Sequence, residues 1–240
     1  MKVVGLTDIG LKRKRNEDGY LIDNNKNLFV VCDGMGGHKG GNVASKLALD
    51  VIHASFAPEQ PEKIPEALSN SIQAANEAIW ERSHKDINLH DMGTTVTAAV
   101  CYGNQLFVAH VGDSSLYLIR NHSIRKVTVD HTIAQQMLNN GLIQEKDKRN
   151  NPYNHILTRA LGADRPVFID FYSEKIQEKD CIILCTDGLT DLVDDQEILQ
   201  TITNEQNIEA AARALIDTAL KKGGHDNITV ILLLVELGGK

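Results

Sequence analysis

The sequence lacks a long hydrophobic run, a positive net charge and a paired-cysteine motif, and each absence excludes a class of protein. The longest apolar run, residues 228–235, is far too short to cross a bilayer. The first residues are typical of a strand and not of a signal peptide. A formal net charge of −7 argues against a general nucleic-acid binder, which would need a basic face to neutralise phosphates. We therefore expect a cytoplasmic protein whose partners include neither a membrane nor a nucleic acid.

The four cysteines, Cys32, Cys101, Cys181 and Cys185, all lie in apolar segments that resemble strands. Neither a CxxC pair nor a zinc-ligand spacing is present. No cysteine has an arginine six residues later, as a phosphate-cradling thiol loop would require. We predict small buried side chains in a reducing compartment, and neither disulfides nor a thiol nucleophile.

The chain also contains no Ser/Pro-rich linker, internal repeat or low-complexity tract. With 42% hydrophobic and 24% charged residues, its composition is typical of a globular protein that can bury a large core. We predict one domain over residues 1–240, with a polar, irregular, flap-like insertion at about 130–166. Because no coiled-coil pattern or exposed apolar helix is evident, we expect a monomer.

Hydrophobic periodicity predicts both helices and short strands. The predicted helices are 42–56, 61–85, 131–140, 194–203 and 207–222. The predicted strands outside the centre of the chain are 2–8, 19–23, 28–32, 167–175, 181–186 and 227–236. Short turn-like links predict a four-strand meander in the centre, with strands at 95–102, 105–111, 115–120 and 123–128.

Several of these strands are continuously apolar, notably LFVVC, LFVAHV, CIILC and ITVILLLV. An antiparallel strand with one wet face should alternate apolar and polar residues, so these strands are expected to be covered on both faces. Amphipathic helices can cover one face, and a second sheet can cover the other. The predicted fold is therefore α+β: a four-layer α/β/β/α sandwich of two stacked antiparallel sheets flanked by helices.

Acidic residues stand at the ends of the apolar strands, where stacked sheets can bring them together. A cluster of like charges is costly unless cations neutralise it. Oxygen-only ligands suit Mg²⁺ or Mn²⁺ better than zinc. These acids are Asp33, Asp113, Asp187 and Asp226, with Glu17 and Asp18 just before another strand.

Glycine directly follows Asp33 and Asp187, which lets the backbone turn sharply and bring a carbonyl close to an ion. Each Asp-Gly pair taken alone is explained better as a common turn. Four strand-end acids together favour a metal site.

Short motifs spread over the whole chain carry a family resemblance. They are DIGLKRKRNED (8–18), VCDGMGGHKGG (31–41), MGTT (92–95), AHVGDSSLYLIR (109–120), LTRALG (157–162), CTDGLTD (185–191) and GGHDNITV (223–230). Each motif alone is weak, but their order and spacing together are specific. The chain resembles the bacterial protein phosphatase 2C family of metal-dependent Ser/Thr phosphatases. That family has an α/β/β/α sandwich fold, in agreement with the prediction from strand hydrophobicity.

The resemblance implies a core site for two metal ions, Mn²⁺ or Mg²⁺. Asp33 would bridge the two ions, and the Gly34 carbonyl would bind one of them. Asp187 and Asp226 would complete the pair. A water bridging two divalent ions loses its proton near neutral pH and can attack phosphorus in line, without a covalent phosphoenzyme. Two further acids would act mainly through metal-bound waters: Glu17 and Asp18.

The resemblance also implies a third, weaker ion and a phosphate-binding arginine. Asp113 and Asp191, together with Asp187, match the positions that hold the third ion in bacterial relatives. Arg13 matches the arginine that grips the substrate phosphate. Its planar set of donors fits phosphate oxygens and stabilises charge in the transition state.

One position departs from the family pattern. Some members carry a histidine directly after the Asp-Gly pair and assign it the role of general acid, whereas this chain has Met35. His38 lies nearby but does not match that position. We hypothesise that a metal-bound water or His38 protonates the leaving serine oxygen.

The basic run Lys12-Arg13-Lys14-Arg15 is explained mainly as a solvated turn, in which Arg13 alone has a motif role. The remaining charges can attract phosphorylated substrates. The Gly-rich turn at 34–37 imitates a dinucleotide-binding loop, but Lys39 occupies the position of its third glycine. The GxGxxG pattern of a dinucleotide-binding loop is therefore broken, and the sequence has no GK[ST] motif of a P-loop.

The leading functional hypothesis is hydrolysis of phosphoserine and phosphothreonine in proteins, opposing a bacterial Ser/Thr kinase. One alternative is a metallophosphatase of small phosphate esters, which uses the same dinuclear chemistry. Another is a catalytically inactive module that senses phosphate or metal. Loss of Arg13 or of a metal-site aspartate would favour the inactive module, and the sequence keeps them all.

Overall fold

The computed structural model describes residues 1–36 and 40–236, which form short strands and amphipathic helices. The strands are β1 (Lys2–Asp8), β2 (Asp18–Asp23), β3 (Leu28–Met35), β4 (Gly93–Thr94), β5 (Val96–Tyr102), β6 (Gln105–Val111), β7 (Ser115–Arg120), β8 (Ser123–Lys126), β9 (Asp170–Lys175), β10 (Cys181–Cys185) and β11 (Ile228–Leu234). The α-helices are α1 (Gly40–Ser55), α2 (Ile64–Lys85), α3 (Ile133–Asn139), α4 (Glu145–Lys148), α5 (Asp187–Thr190), α6 (Asp195–Asn204) and α7 (Ile208–Lys221).

The strands form two sheets in which the paired neighbours run antiparallel. The first sheet has the order β1-β11-β10-β7-β8. The second has the order β2-β3-β5-β6-β9, with the short β4 paired to β3. Strands distant in sequence therefore meet at the centre of each sheet.

Three apolar layers hold the two sheets and the helices together, and β3 shows how. Phe29 and Val31 point towards the other sheet, where they join a buried cluster with Leu184 and Ile231. The alternate residues of β3 face α1 and α2 in a second cluster. A third cluster lies between the first sheet and helices α6 and α7. Continuously apolar strands are thus covered on both faces, and the predicted four-layer sandwich is confirmed.

The predicted four-strand meander is wrong. β5 and β6 pair in the second sheet, whereas β7 and β8 belong to the first. The link at 112–114 has the length of a hairpin turn, yet it carries the chain from one sheet to the other. Ser114 is buried at this crossing, and its hydroxyl lies 2.8 Å from the Thr95 hydroxyl. The crossing places Asp113 between the ends of the two sheets.

Other predicted boundaries differ in detail. β9 begins at Asp170 and not at 167, because the backbone of Val167 is hydrogen-bonded to the Gln73 side chain of α2 instead of to a strand. Within the predicted flap-like segment, α3 is close to the expected helix, while α4 was not predicted. No helix in the part of the chain that is described combines the length and apolarity needed to cross a membrane.

Candidate metal centre

The loops at one edge of the sandwich surround a cavity of about 680 Å³. Segments from both sheets contribute to it, because the site-facing ends of β3, β6, β10 and β11 meet at this edge. Asp18 lies next to the cavity, paired with Asp33 across the β2–β3 ladder. The other residues predicted for the site all line the cavity: Arg13, Glu17, Asp33, Gly34, Asp113, Asp187, Asp191 and Asp226.

Asp18 and Asp33 form a pair of like charges directly opposite each other, an arrangement that destabilises an ordinary sheet. One carboxylate oxygen of Asp18 accepts hydrogen bonds from Thr186 Oγ1 (2.8 Å) and Thr229 Oγ1 (2.6 Å). The other oxygen is buried and has no hydrogen-bond partner among the residues that the structure describes. Burial raises the pKa of Asp18 to about 7 despite these two bonds. Burial and the nearby charges of Asp18 and Asp187 raise the pKa of Asp33 well above its usual range.

The backbone around Asp33 is held rigidly. Its N–H donates to Thr95 Oγ1 (2.9 Å), and its carbonyl accepts from Thr94 Oγ1 (2.8 Å) and from the Thr95 N–H (2.9 Å). Gly34 lies against the backbone of Gly41, where an added Cβ would be 2.1 Å from the Gly41 carbonyl oxygen. Only glycine fits at this close approach.

Asp187 and Asp226 are brought together by contact between α5 and the start of β11. Asp187 is the first residue of α5, a helix that the sequence patterns did not predict. A Cβ on Gly188 would lie 2.0 Å from the carbonyl oxygen of Asn227, so the two backbones touch. One carboxylate oxygen of Asp187 is buried and, within the described part of the chain, has no hydrogen-bond partner, whereas Asp226 accepts a hydrogen bond from the Asn227 N–H (2.7 Å).

Arg13 lies at the rim of the cavity, where its Nη2 donates to Asp226 Oδ2 at 2.5 Å. The side chain is about half exposed, so the guanidinium can meet an incoming ligand. Glu17, at the other end of the same loop, has its pKa raised by burial. The loop at 9–17 therefore presents one cation and one acid to the cavity.

Asn227 organises this loop, and sequence reasoning did not identify it. Its Oδ1 accepts from the Glu17 N–H (2.8 Å), and its Nδ2 donates to the carbonyls of Ile9 and Arg15 (both 2.9 Å). The residue is almost fully buried. A signal was available, since an asparagine directly after Asp226 interrupts the apolar start of the strand.

A second cluster of acids lies beside the first. Burial and the charge of Asp187 raise the pKa of Asp113 well above its usual range. Burial and Asp187 also raise the pKa of Asp191 to about 7. His155 Nδ1 lies 3.3 Å from Asp191 Oδ2 and 3.9 Å from Asp187 Oδ2. These carboxylates, Asp187 first, raise the pKa of His155 to about 9.

Sequence reasoning missed His155 because it lies in the irregular segment, far along the chain from the acids. Ligand atoms of His155, Asp187 and Asp191 lie within 4.8 Å of one another. Two other residues of the same segment also contact Asp191: Arg149 donates to its carbonyl (2.9 and 3.1 Å), and Asn154 Nδ2 lies 3.5 Å from its Oδ1. The segment predicted as a flap thus lies directly on an acid of the site.

The residues present fit divalent cations. The donors are carboxylate oxygens, which Mg²⁺ and Mn²⁺ prefer. Buried oxygens of Asp18 and Asp187 have no hydrogen-bond partner among the described residues, and a bound cation would satisfy them. Positive charge would also relieve the repulsion and desolvation that raise the pKa values of Asp33 and Asp113. Met35 lies at the cavity wall, whereas His38, the hypothetical proton donor, is outside the described residues.

Comparisons with known proteins agree with this geometry. The sequence model of the protein phosphatase 2C family matches residues 12–222. The serine/threonine phosphatase stp of Listeria monocytogenes serotype 4b (strain F2365) is 37% identical over 241 residues, covering 98% of this chain and 96% of that protein. Protein phosphatase PhpP of Streptococcus pneumoniae serotype 2 (strain D39 / NCTC 7466) is 29% identical, covering 97% of each chain.

Solved structures agree at the level of the fold. The Mycobacterium tuberculosis serine/threonine phosphatase PstP/Ppp superposes with a TM-score of 0.92, at 32% identity and 98% coverage of both chains. A PstP catalytic domain solved in complex with two manganese ions gives a TM-score of 0.88 at 32% identity, with 98% coverage of each chain. This chain therefore belongs to the protein phosphatase 2C family of serine/threonine protein phosphatases.

Proposed function

We propose that this phosphatase hydrolyses phosphoserine and phosphothreonine at the carboxylate cavity, with two divalent ions held by Asp33, Asp187 and Asp226. The observation that carries the proposal is the convergence of acids at one cavity with Arg13 at its rim, where two of the acids have a buried oxygen without a hydrogen-bond partner among the described residues. Such a cluster is unfavourable by itself and is explained by cations.

Each residue has a distinct part in this proposal. Asp33 lies between the other acids on a rigid backbone, which suits a ligand shared by two ions, and the Gly34 carbonyl adds a neutral oxygen. Two bound divalent ions would supply a water nucleophile of lowered pKa and offset the negative charge of the phosphate. Two further acids would orient the surrounding waters from behind: Glu17 and Asp18.

Arg13 would bind the phosphate. Its ion pair with Asp226 fixes the guanidinium at the rim, with about half of the side chain open to solvent. A planar guanidinium matches two phosphate oxygens and stabilises the charge that develops on them. Because Asp226 also belongs to the proposed metal site, the substrate phosphate and the ions would be held next to each other.

The second cluster would hold a third, weaker ion between Asp113, Asp187 and Asp191. Manganese and magnesium both suit the oxygen donors, and the nitrogen of His155 nearby favours manganese for this outer position. The substrates would be phosphoproteins, including a bacterial Ser/Thr kinase and its targets, and we propose that the enzyme acts as a cytoplasmic monomer. Four free, buried cysteines accord with a reducing compartment.

Release of inorganic phosphate from a phosphothreonine peptide tests the proposal. We expect activity with Mn²⁺ or Mg²⁺, none with EDTA, and a loss on the order of 10²-fold or more in Asp187→Ala, because a metal ligand is removed. The matched control is Asp217→Ala, which removes an exposed aspartate from α7 and should keep wild-type activity. A metal-loaded wild type that releases no phosphate from this peptide, but hydrolyses small phosphate esters, would contradict the proposal in favour of the small-ester alternative.

A further inference from the structure

A second, smaller groove continues the active-site cavity along the basic run. It has a volume of about 320 Å³ and is lined by Arg13, Lys14, Arg15, Glu17 and Gly36. Arg13, Glu17 and Gly36 also line the main cavity, so the two spaces adjoin. A peptide whose phosphorylated residue entered the main cavity could lay its neighbouring residues in this groove.

The backbone that carries the basic side chains is fixed at several points. Leu11 donates its N–H to the Gly224 carbonyl (2.8 Å), and the carbonyls of Arg15 and Asn16 accept from Asn227 and Asn42 (2.9 and 3.0 Å). The cations between these points are therefore presented from an ordered loop. Binding to a preorganised surface avoids the cost of ordering it.

The lining of this groove is positively charged, whereas the whole chain has a formal net charge of −7. Lys14 is exposed and forms no ion pair with any residue that the structure describes. Arg13 and Arg15 also line the groove, and so does the acid Glu17, so the lining carries three positive charges and one negative charge; Arg13 is paired with Asp226. The groove thus presents positive charge directly beside a phosphate-binding site.

We propose that this groove selects phosphoprotein substrates with acidic side chains close to the phosphorylated residue, through Lys14 and Arg15. The inference rests on the proposed function and adds a sequence preference to it. Since an extended peptide rises about 3.3 Å per residue, glutamates two or three positions away lie roughly 7–10 Å from the phosphorylated residue, within the adjoining groove. A peptide with neutral flanking residues would lack this attraction, and one with basic flanking residues would be repelled by the groove.

Three phosphothreonine peptides that differ only at the second and third positions on each side test the inference. These positions carry Glu, Gln or Lys, and kcat/KM is measured with Mn²⁺. We expect Glu to exceed Gln by roughly threefold to tenfold, mainly through KM, because exposed charge pairs are individually weak. The preference should shrink at about 1 M salt, where the screening length falls to about 3 Å.

The Lys14→Glu variant should lose the preference for Glu and hydrolyse the Lys-flanked peptide faster than the wild type does, because it brings the net charge of the groove lining close to zero. Such a gain cannot come from damage to the fold. The control Lys85→Glu makes the same charge change at an exposed position on α2 and should keep the wild-type order. Equal kcat/KM for the three peptides, or an order that Lys14→Glu leaves unmoved, would overturn the inference. Failure to hydrolyse any of the peptides would instead contradict the proposed function, and the inference with it.

Discussion

Asn227 shows how a neutral side chain can control a charged site. Its amide makes three hydrogen bonds to backbone groups of the loop at 9–17, and this loop carries Arg13 and Glu17. The loop has no regular secondary structure of its own to satisfy these groups. Under the proposed function, Asn227 would therefore act on the substrate through Arg13, as a positioning residue.

Asn227→Ala should weaken substrate binding as well as stability. Leaving buried backbone groups unpaired costs about 1–3 kcal/mol, and the loosened Arg13 should raise KM for a phosphopeptide about tenfold. Denaturant unfolding and steady-state kinetics measure the two effects.

The matched control for this change is Asn207→Ala, which removes the N-cap of α7. It should cost about 1 kcal/mol without changing KM. If Asn227→Ala kept the wild-type KM while losing stability, the positioning role would be refuted.

Among the larger elements, the segment at 130–166 is attached to the sandwich by buried charges. Lys126 of β8 and Lys148 of α4 both donate to Asp130, at 2.6 and 2.8 Å. Burial acts to raise the pKa of Asp130, but the two lysines hold it below its usual value. A charge pair removed from water must stay complete to be tolerated, so this triad fixes α4 against β8.

Lys148→Met should release the flap-like segment with little effect on the rest of the fold. The change roughly keeps the side-chain volume and leaves the Lys126–Asp130 pair intact. We expect faster amide hydrogen exchange across residues 141–156, and a global free energy of unfolding within about 1 kcal/mol of wild type.

Two further variants serve as controls, one expected to have no effect and one expected to be strongly destabilising. Lys146→Met alters an exposed lysine of the same helix and should leave exchange unchanged. Asp130→Asn, which leaves both lysines without their acid, should cost about 3–5 kcal/mol. Wild-type exchange rates across 141–156 in Lys148→Met would show that the triad does not hold the segment.

At the scale of the whole molecule, acidic residues that repel one another are concentrated at one edge of the sandwich. Asp18 and Asp191 have pKa values of about 7 and His155 one of about 9, all above their usual values. At pH values between the ordinary pKa of each group and its raised pKa, the folded protein holds a proton that the unfolded chain has lost. Stability from these groups is present at low pH and is lost as pH rises through the folded pKa. The pKa of buried His110 is instead lowered to about 3. Its contribution to stability therefore increases as pH rises, and the increase is nearly complete at about pH 6.5, the ordinary pKa of histidine.

The metal-free protein should therefore become less stable between about pH 6.5 and 8.5. In EDTA we expect its Tm to fall over this range, and added Mn²⁺ should raise the Tm more at the upper end, where fewer protons compete for the carboxylates. Scanning calorimetry with and without Mn²⁺ measures both trends.

Asp18→Asn provides the control for the pH dependence. It removes one of the raised carboxyl groups and should flatten the decline in EDTA. A metal-free Tm that is constant or rises from pH 6.5 to 8.5 would contradict the electrostatic account.

The amino-acid sequence by itself determined the local pattern and the chemistry. Continuously apolar strands such as CIILC must be covered on both faces, and that requirement was sufficient to predict the four layers. The acids could be placed at strand ends from their neighbours alone. Family motifs then supplied roles for Arg13 and the aspartates, and the chain's membership of that family is confirmed.

Only the tertiary structure decided which strands share a sheet and which side chains meet. The link at 112–114 looks like a hairpin turn, yet β6 and β7 do not pair with each other. Each pairs with one strand next to it in the chain, β5 or β8, and with one distant strand, β9 or β10, and the pairing of distant strands leaves no local signal. Likewise, the approach of His155 to Asp191 and the three bonds of Asn227 depend on segments separated by tens to hundreds of residues. Local sequence records propensity and hydrophobicity, whereas these contacts arise from how whole layers pack.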